Sequence, residues 1–174
     1  MRITTWIAGC IALINVAAHG STNLARNPGF EQDGGWVASG SGHTKNEWRS
    51  HDGGHFNAAI LGVWATKGLE GAVEQFDLPV EEQQTYVLSV WLWADISWSP
   101  QAQGIGITFY DQDGNRLSGE HLPISFIPPT WKKFTLSAKA PERAETASIR
   151  IEATEVSWHG SLTIDDVFFG QLEE

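Results

Sequence analysis

The chain has 174 residues, room for one domain with a hydrophobic core, and carries 21 Asp and Glu against 11 Lys and Arg, a formal charge of −10. That balance argues against nucleic acid as a partner, because phosphate binding needs clustered cations and only Lys132 and Lys133 stand side by side; it also disfavours an anionic membrane surface. Nine Trp, 18 Gly and 11% aromatic residues point to an all-β fold with many turns rather than a helical bundle.

Met1 to Ala18 reads as an export signal: Arg2 supplies the positive start, Trp6 to Ala18 is mostly apolar, and Val16-Ala17-Ala18 offers small residues for cleavage. The apolar part is short for a membrane span. The expected product is a single domain over residues 19–174, secreted or held in the cell envelope and not inserted in a membrane. Ile7-Ala8-Gly9-Cys10 also resembles a lipobox, but the apolar stretch that follows Cys10 is unlike a lipoprotein tether, so anchoring through Cys10 is the lesser alternative. Cys10 is the only Cys, so its removal leaves stability to packing or to a bound metal.

From Asn23 to Glu31 the sequence NLARNPGFE predicts a short entering strand, a turn at Pro28-Gly29 and a return. Gln32 to Gly54 is rich in Gly, Ser, Asp and His and is expected to be loop, with one short strand near Trp36. Strand signals then recur over Asn57–Val63, Ala72–Leu78, Thr85–Asp95, Ile105–Tyr110, Gly119–Ser125, Lys132–Ala138, Ala147–Ala153 and Leu162–Phe169, with a hairpin signal at Gln112-Asp113-Gly114-Asn115. Pro79–Gln84 and Pro141–Glu145 are short polar connectors that could each form one helical turn. So many strands without crossover helices imply antiparallel pairing and a two-sheet sandwich or jelly roll.

Thr85 to Asp95, TYVLSVWLWAD, is the longest strand signal. Alternation puts Tyr86, Leu88, Val90, Leu92 and Ala94 on one face and Val87, Ser89, Trp91, Trp93 and Asp95 on the other. The aliphatic face is expected in the core, which turns the two indoles outward.

NPGFE, then GVWATKGLEGAVEQFDLP feeding TYVLSVWLWAD, then FYDQDGN, WKKFTLSAKAP, SIRIEA and SLTIDDVFF occur in the order seen in galactose-binding-like jelly rolls. The chain resembles the carbohydrate-binding modules of families four, nine and twenty-two among them. The resemblance implies an antiparallel β-sandwich that binds polysaccharide or oligosaccharide without catalysis. It also implies that Glu31, in GFE, and Asp165, in IDD, hold a structural Ca²⁺, with backbone carbonyls near His51 to Gly54 completing the oxygen shell. The alternative from the residues alone is a hydrogen-bonded Asp165 and an exposed Glu31. Asp165 and Asp166 are adjacent in a strand, so they cannot act together on one substrate.

Every Trp except Trp6 lies beyond the leader, more than a core of this size needs. Indole faces match the apolar C–H faces of sugar rings. The candidate ligand-binding set is therefore Trp93, Trp91, Trp48, Trp64, Trp98 and Trp158, with Trp93 expected on an open concave sheet face and Trp91 beside or behind it; Trp131 is read as structural. His43, His51 and His55 suit loop positions better than a metal centre, because Gly53-Gly54 breaks any helix between them. No Gly-x-Ser-x-Gly, no His-Glu-x-x-His and no selected pair of carboxylates marks a catalytic site. Noncatalytic glycan binding is the first reading, with a cell-envelope protein-interaction domain and a polysaccharide-active enzyme as alternatives.

Overall fold

In Thr85 to Ala94 the residues Tyr86, Leu88, Val90, Leu92 and Ala94 are all buried, and Val87, Trp91 and Trp93 on the opposite face are half-buried. The aliphatic half of TYVLSVWLWA thus fixes which way the strand faces. The same rule places Ile105, Ile107 and Phe109, and Ala147, Ile149, Ile151 and Ala153, in the core of a computed structural model that describes residues 21–31, 34–40, 44–45, 59–63, 69–156 and 160–173.

Ten strands are present among those residues: β1 Val37–Gly40, β2 Thr44–Lys45, β3 Ala59–Val63, β4 Leu69–Pro79, β5 Thr85–Ala94, β6 Ala102–Tyr110, β7 Arg116–Pro123, β8 Lys132–Lys139, β9 Thr146–Val156 and β10 Gly160–Gln171. They form two antiparallel sheets of five, a front sheet in the order β1-β4-β9-β6-β7 and a back sheet in the order β2-β3-β10-β5-β8. The expected sandwich is present, and no helix occurs among the described residues. Both polar connectors are turns. Between the sheets Tyr86 stacks on Phe169 with ring centroids 5.4 Å apart and meets Phe109 at 6.3 Å. Each fully buried Leu, Ile or Phe contributes about 1.5–3 kcal/mol.

The hairpin between β6 and β7 forms as its sequence predicts. Asp111 Oδ1 accepts bonds from the backbone N–H groups of Asp113 and Asn115, and Gly114 sits at φ 77°, where a side chain would be strained. The bonds from Asn115 lead in holding the Asp111 carboxyl below the usual carboxylate range.

The entering strand expected at Asn23 to Glu31 is not a regular strand. Leu24 N–H bonds to Phe169 O at 2.7 Å, but the side chain of Asn23 then takes over, accepting from Phe169 N–H and donating to Val167 O. Pro28 has no N–H to offer a ladder. The segment instead crosses to the front sheet, where the buried side chain of Gln75 bonds both the N–H and the C=O of Arg26.

Candidate functional site

Alternation along β9 turns Ala147, Ile149 and Ile151 into the core and leaves Ser148, Arg150 and Glu152 on the outer face of the front sheet. The registers of the neighbouring strands then line up one row across all five: Val37, Glu74, Arg150, Gly106 and His121. The next row holds Ser39, Ala72, Glu152, Gly104 and Pro123.

These two rows are tied by one continuous chain of polar contacts. Ser39 Oγ donates to Glu74 Oε2 at 3.3 Å, Arg150 donates through NH1 to Glu74 Oε1 at 2.7 Å and through Nε to Glu152 Oε2 at 2.5 Å, and His121 Nε2 lies 3.3 Å from Glu152 Oε1. The chain reaches from β1 to β7. Burial of the guanidinium works against its charge, but the bonds from Glu74 and Glu152 outweigh this and hold Arg150 above the ordinary arginine range. Side chains of Arg150 and His121 are 43% and 48% exposed, so the network is offered to solvent.

His121 can reach Glu152 only because the intervening strand carries glycine. A Cβ on Gly104 would stand 2.5 Å from His121 Nε2 and 2.5 Å from Leu122 O, so a side chain there would force both the imidazole and the Leu122 backbone to shift. Beside this network, a register shift in β4 between Gln75 and Leu78 sets Phe76 and Asp77 opposite Ser148. Gln75 and Leu78 point inward, Asp77 takes φ 54°, and Phe76 is left facing out at 38% exposure. Tyr110, whose hydroxyl lies 3.3 Å from Ser148 Oγ, flanks the other side. The face therefore combines donors, acceptors and an exposed aromatic ring.

The described residues among those singled out from the sequence lie elsewhere. Trp91 and Trp93 do turn away from the core, onto the outer face of the back sheet, opposite Asp165 and Thr163 of β10. Those two neighbours are each only 1% exposed, and the indoles themselves are half-buried. Trp98 packs against the core and donates its indole N–H to Gln103 Oε1 at 2.7 Å. Trp48, Trp64 and Trp158 lie outside the described residues, as do His43, His51 and His55.

Glu31 and Asp165 are brought together, from opposite ends of the fold. A Cβ on Gly29 would meet Glu31 Oε1 at 3.4 Å and Asp165 Oδ1 at 3.9 Å. Asp165 Oδ1 also accepts the backbone N–H of Asp166, which has φ 46° at the irregularity in β10. Phe30, between Gly29 and Glu31, is held at φ 56°, a costly conformation for an aromatic residue, by burial and by stacking on Trp36 at 4.9 Å. Among the described residues no cluster of three or more His, Cys, Asp and Glu is arranged around a metal site.

A family profile described as a carbohydrate binding domain, CBM_4_9, matches residues 22–158. No curated protein matches the sequence. Among solved structures the fold is similar to the enzymatically active domain of tailspike protein 4 from bacteriophage CBA120, with TM-score 0.67 and 22% identity over 86% of this chain and 21% of that one. It is similar to a family 61 carbohydrate-binding module in complex with β-1,4-galactotriose, with TM-score 0.53 and 17% identity over 87% of this chain and 99% of that one. It is also similar to the CBM22-1–GH10 modules of a Clostridium thermocellum xylanase complexed with xylohexaose, with TM-score 0.55 and 12% identity over 88% of this chain and 28% of that one. At these identities the structures show a shared β-sandwich fold, and the chain spans about a fifth of the tailspike domain. With most of its length matched by one profile, the chain belongs to the carbohydrate binding domain family CBM_4_9.

Proposed function

We propose that this domain is a noncatalytic carbohydrate-binding module of an exported protein, and that it holds a neutral oligosaccharide or polysaccharide on the outer face of the front sheet. The observation that carries this reading is the polar chain from Ser39 through Glu74, Arg150 and Glu152 to His121, with the Phe76 ring exposed beside it. Sugar hydroxyls both donate and accept, so carboxylates alternating with a guanidinium and an imidazole suit them, while an exposed ring suits the C–H face. Arg150 is already balanced by two carboxylates, which favours an uncharged glycan. Sharing one cation between Glu74 and Glu152 supports binding rather than turnover, because a glycosidase needs one carboxyl held as an acid across the scissile bond from the other.

The test is affinity electrophoresis of the purified protein in gels containing xylan, β-1,4-galactan or a mixed-linkage β-glucan, together with an assay for released reducing ends. Retardation by at least one polysaccharide without release is the expected result. No retardation by any of them overturns the reading, and release of reducing ends makes the domain an enzyme.

The pairing of Glu31 and Asp165 around Gly29 fits a structural Ca²⁺, for which these two carboxylates would be the charged ligands. A cation there joins the first and last parts of the fold. Because an ion bound only by the native state stabilises it by about 2.7 kcal/mol at a hundredfold excess over Kd, chelation is expected to lower Tm by roughly 5–10 °C. Added Ca²⁺ restores it, and Glu31→Gln abolishes the response. A melt unchanged by excess chelator, with no metal found by elemental analysis, disproves the site.

A further inference from the structure

We infer that Gly106 is the specificity-determining position of the front-sheet site: its missing side chain opens a slot between Arg150 and His121 that one sugar residue of a neutral glycan occupies. The inference rests on the reading of that face as the glycan site.

β6 is a central strand of the front sheet, and its GIGI run sends Ile105 and Ile107 into the core and Gly104 and Gly106 outward. Glycine in the middle of a strand weakens it and often marks a close approach by a ligand or another chain segment. The two outward glycines differ in what they make room for. At Gly104 the space is taken by the His121 imidazole. At Gly106 a Cβ would meet only Glu120 O at 3.5 Å and His121 Cδ2 at 3.7 Å, which are ordinary contacts. Nor does Gly106 have a positive φ that would favour glycine. Nothing in the fold itself therefore requires glycine at this position.

Of its neighbours in the row, Arg150 leans away from it and His121 borders it with Cδ2 while reaching past it. Arg150 is drawn toward Glu74 on β4 and toward Glu152, and His121 is drawn over Gly104 to Glu152. What remains above Gly106 is the space its missing side chain leaves, between strands β9 and β7 whose backbones, like those of any two strands flanking a third, are about 10 Å apart. Its floor is bare main chain and its walls carry the donors and acceptors of the network. A sugar ring lowered into it reaches Glu152 and His121 with its hydroxyls, at a depth that any side chain on residue 106 would deny.

Gly106→Ala and Gly106→Val test this, measured for thermal melting and for affinity toward the polysaccharide that retards the wild-type protein most among xylan, β-1,4-galactan and mixed-linkage β-glucan. Both variants are expected to melt at or above the wild-type temperature, valine being favoured in strands. Affinity is expected to fall in the order wild type, Ala, Val, with Val weaker by roughly 10- to 100-fold, the range that overpacking a filled site produces. Val binding within about twofold of wild type overturns the slot while leaving the glycan reading intact. If the wild-type protein binds none of the three, the glycan reading fails and the slot with it. Should Val lower the melting temperature, the Ala variant decides, since its Cβ makes only ordinary contacts.

Discussion

Arg150→Ala is expected to reduce glycan affinity about 100-fold, the largest effect of any single change on the front-sheet face. The guanidinium stands at the centre of the five-strand row and supplies charged donors, each worth more to a partner than a neutral one. It also orients both carboxylates. Without it Glu74, whose side chain is only 13% exposed, and Glu152 stand beside each other with no guanidinium between them. Some loss of stability follows, about 1–3 kcal/mol, because the carboxylate left behind is partly buried. Arg150→Lys separates the two effects: an ammonium restores the charge balance and most of the melting temperature, but it cannot hold two carboxylates in one plane. Isothermal titration with a bound oligosaccharide, paired with a melt, checks both variants. Full affinity in Arg150→Ala would move the glycan off this face.

The largest stability effect outside the hydrophobic core is expected at Gln75. This side chain is 1% exposed, with its amide oxygen 2.9 Å from Arg26 N and its amide nitrogen donating to Arg26 O. Gln75→Leu keeps the approximate volume and removes both bonds, leaving two backbone groups of a partly buried segment without partners. At about 1–3 kcal/mol for each such group, the variant should lose roughly 2–4 kcal/mol in urea unfolding. Glycan affinity, measured where the variant is still folded, should change little. A loss below about 0.5 kcal/mol would show that water replaces the Gln75 bonds.

Which parts of this were legible in the sequence follows from the range of the interactions. The orientation of β5 depends on local alternation, so TYVLSVWLWA settled that Leu88, Val90 and Leu92 face inward and Trp91 and Trp93 outward. The hairpin at Asp111 to Asn115 is likewise local. The site is not, since Glu74, Arg150 and His121 come from three strands, and only the antiparallel registers of β4, β9, β6 and β7 put them in one row. A signal was present in SIRIEA, whose two Ile residues direct Ser148, Arg150 and Glu152 outward, and in the paired glycines of GIGI. Tryptophan count drew attention to the back sheet. It did not reveal that Thr163 and Asp165 beside those indoles are buried. The irregularities at Asp77 and Asp166 were also invisible, because each is set by a partner strand far away in the chain. The entering strand at Asn23 was lost to a side chain, since Asn23 bonds to β10 where a backbone ladder was expected.

The most direct test of where the glycan lies is a map of backbone amide shifts in isotopically labelled protein titrated with a bound oligosaccharide. Binding on the front sheet moves the amides of Glu74, Gly104, Gly106, Ser148 to Glu152 and Gly119 to His121, and leaves Val87, Trp91, Trp93 and Thr163 in place. Shifts confined to Trp91, Trp93 and their neighbours on β10, with Gly106 and Arg150 unmoved, would contradict the front-sheet site.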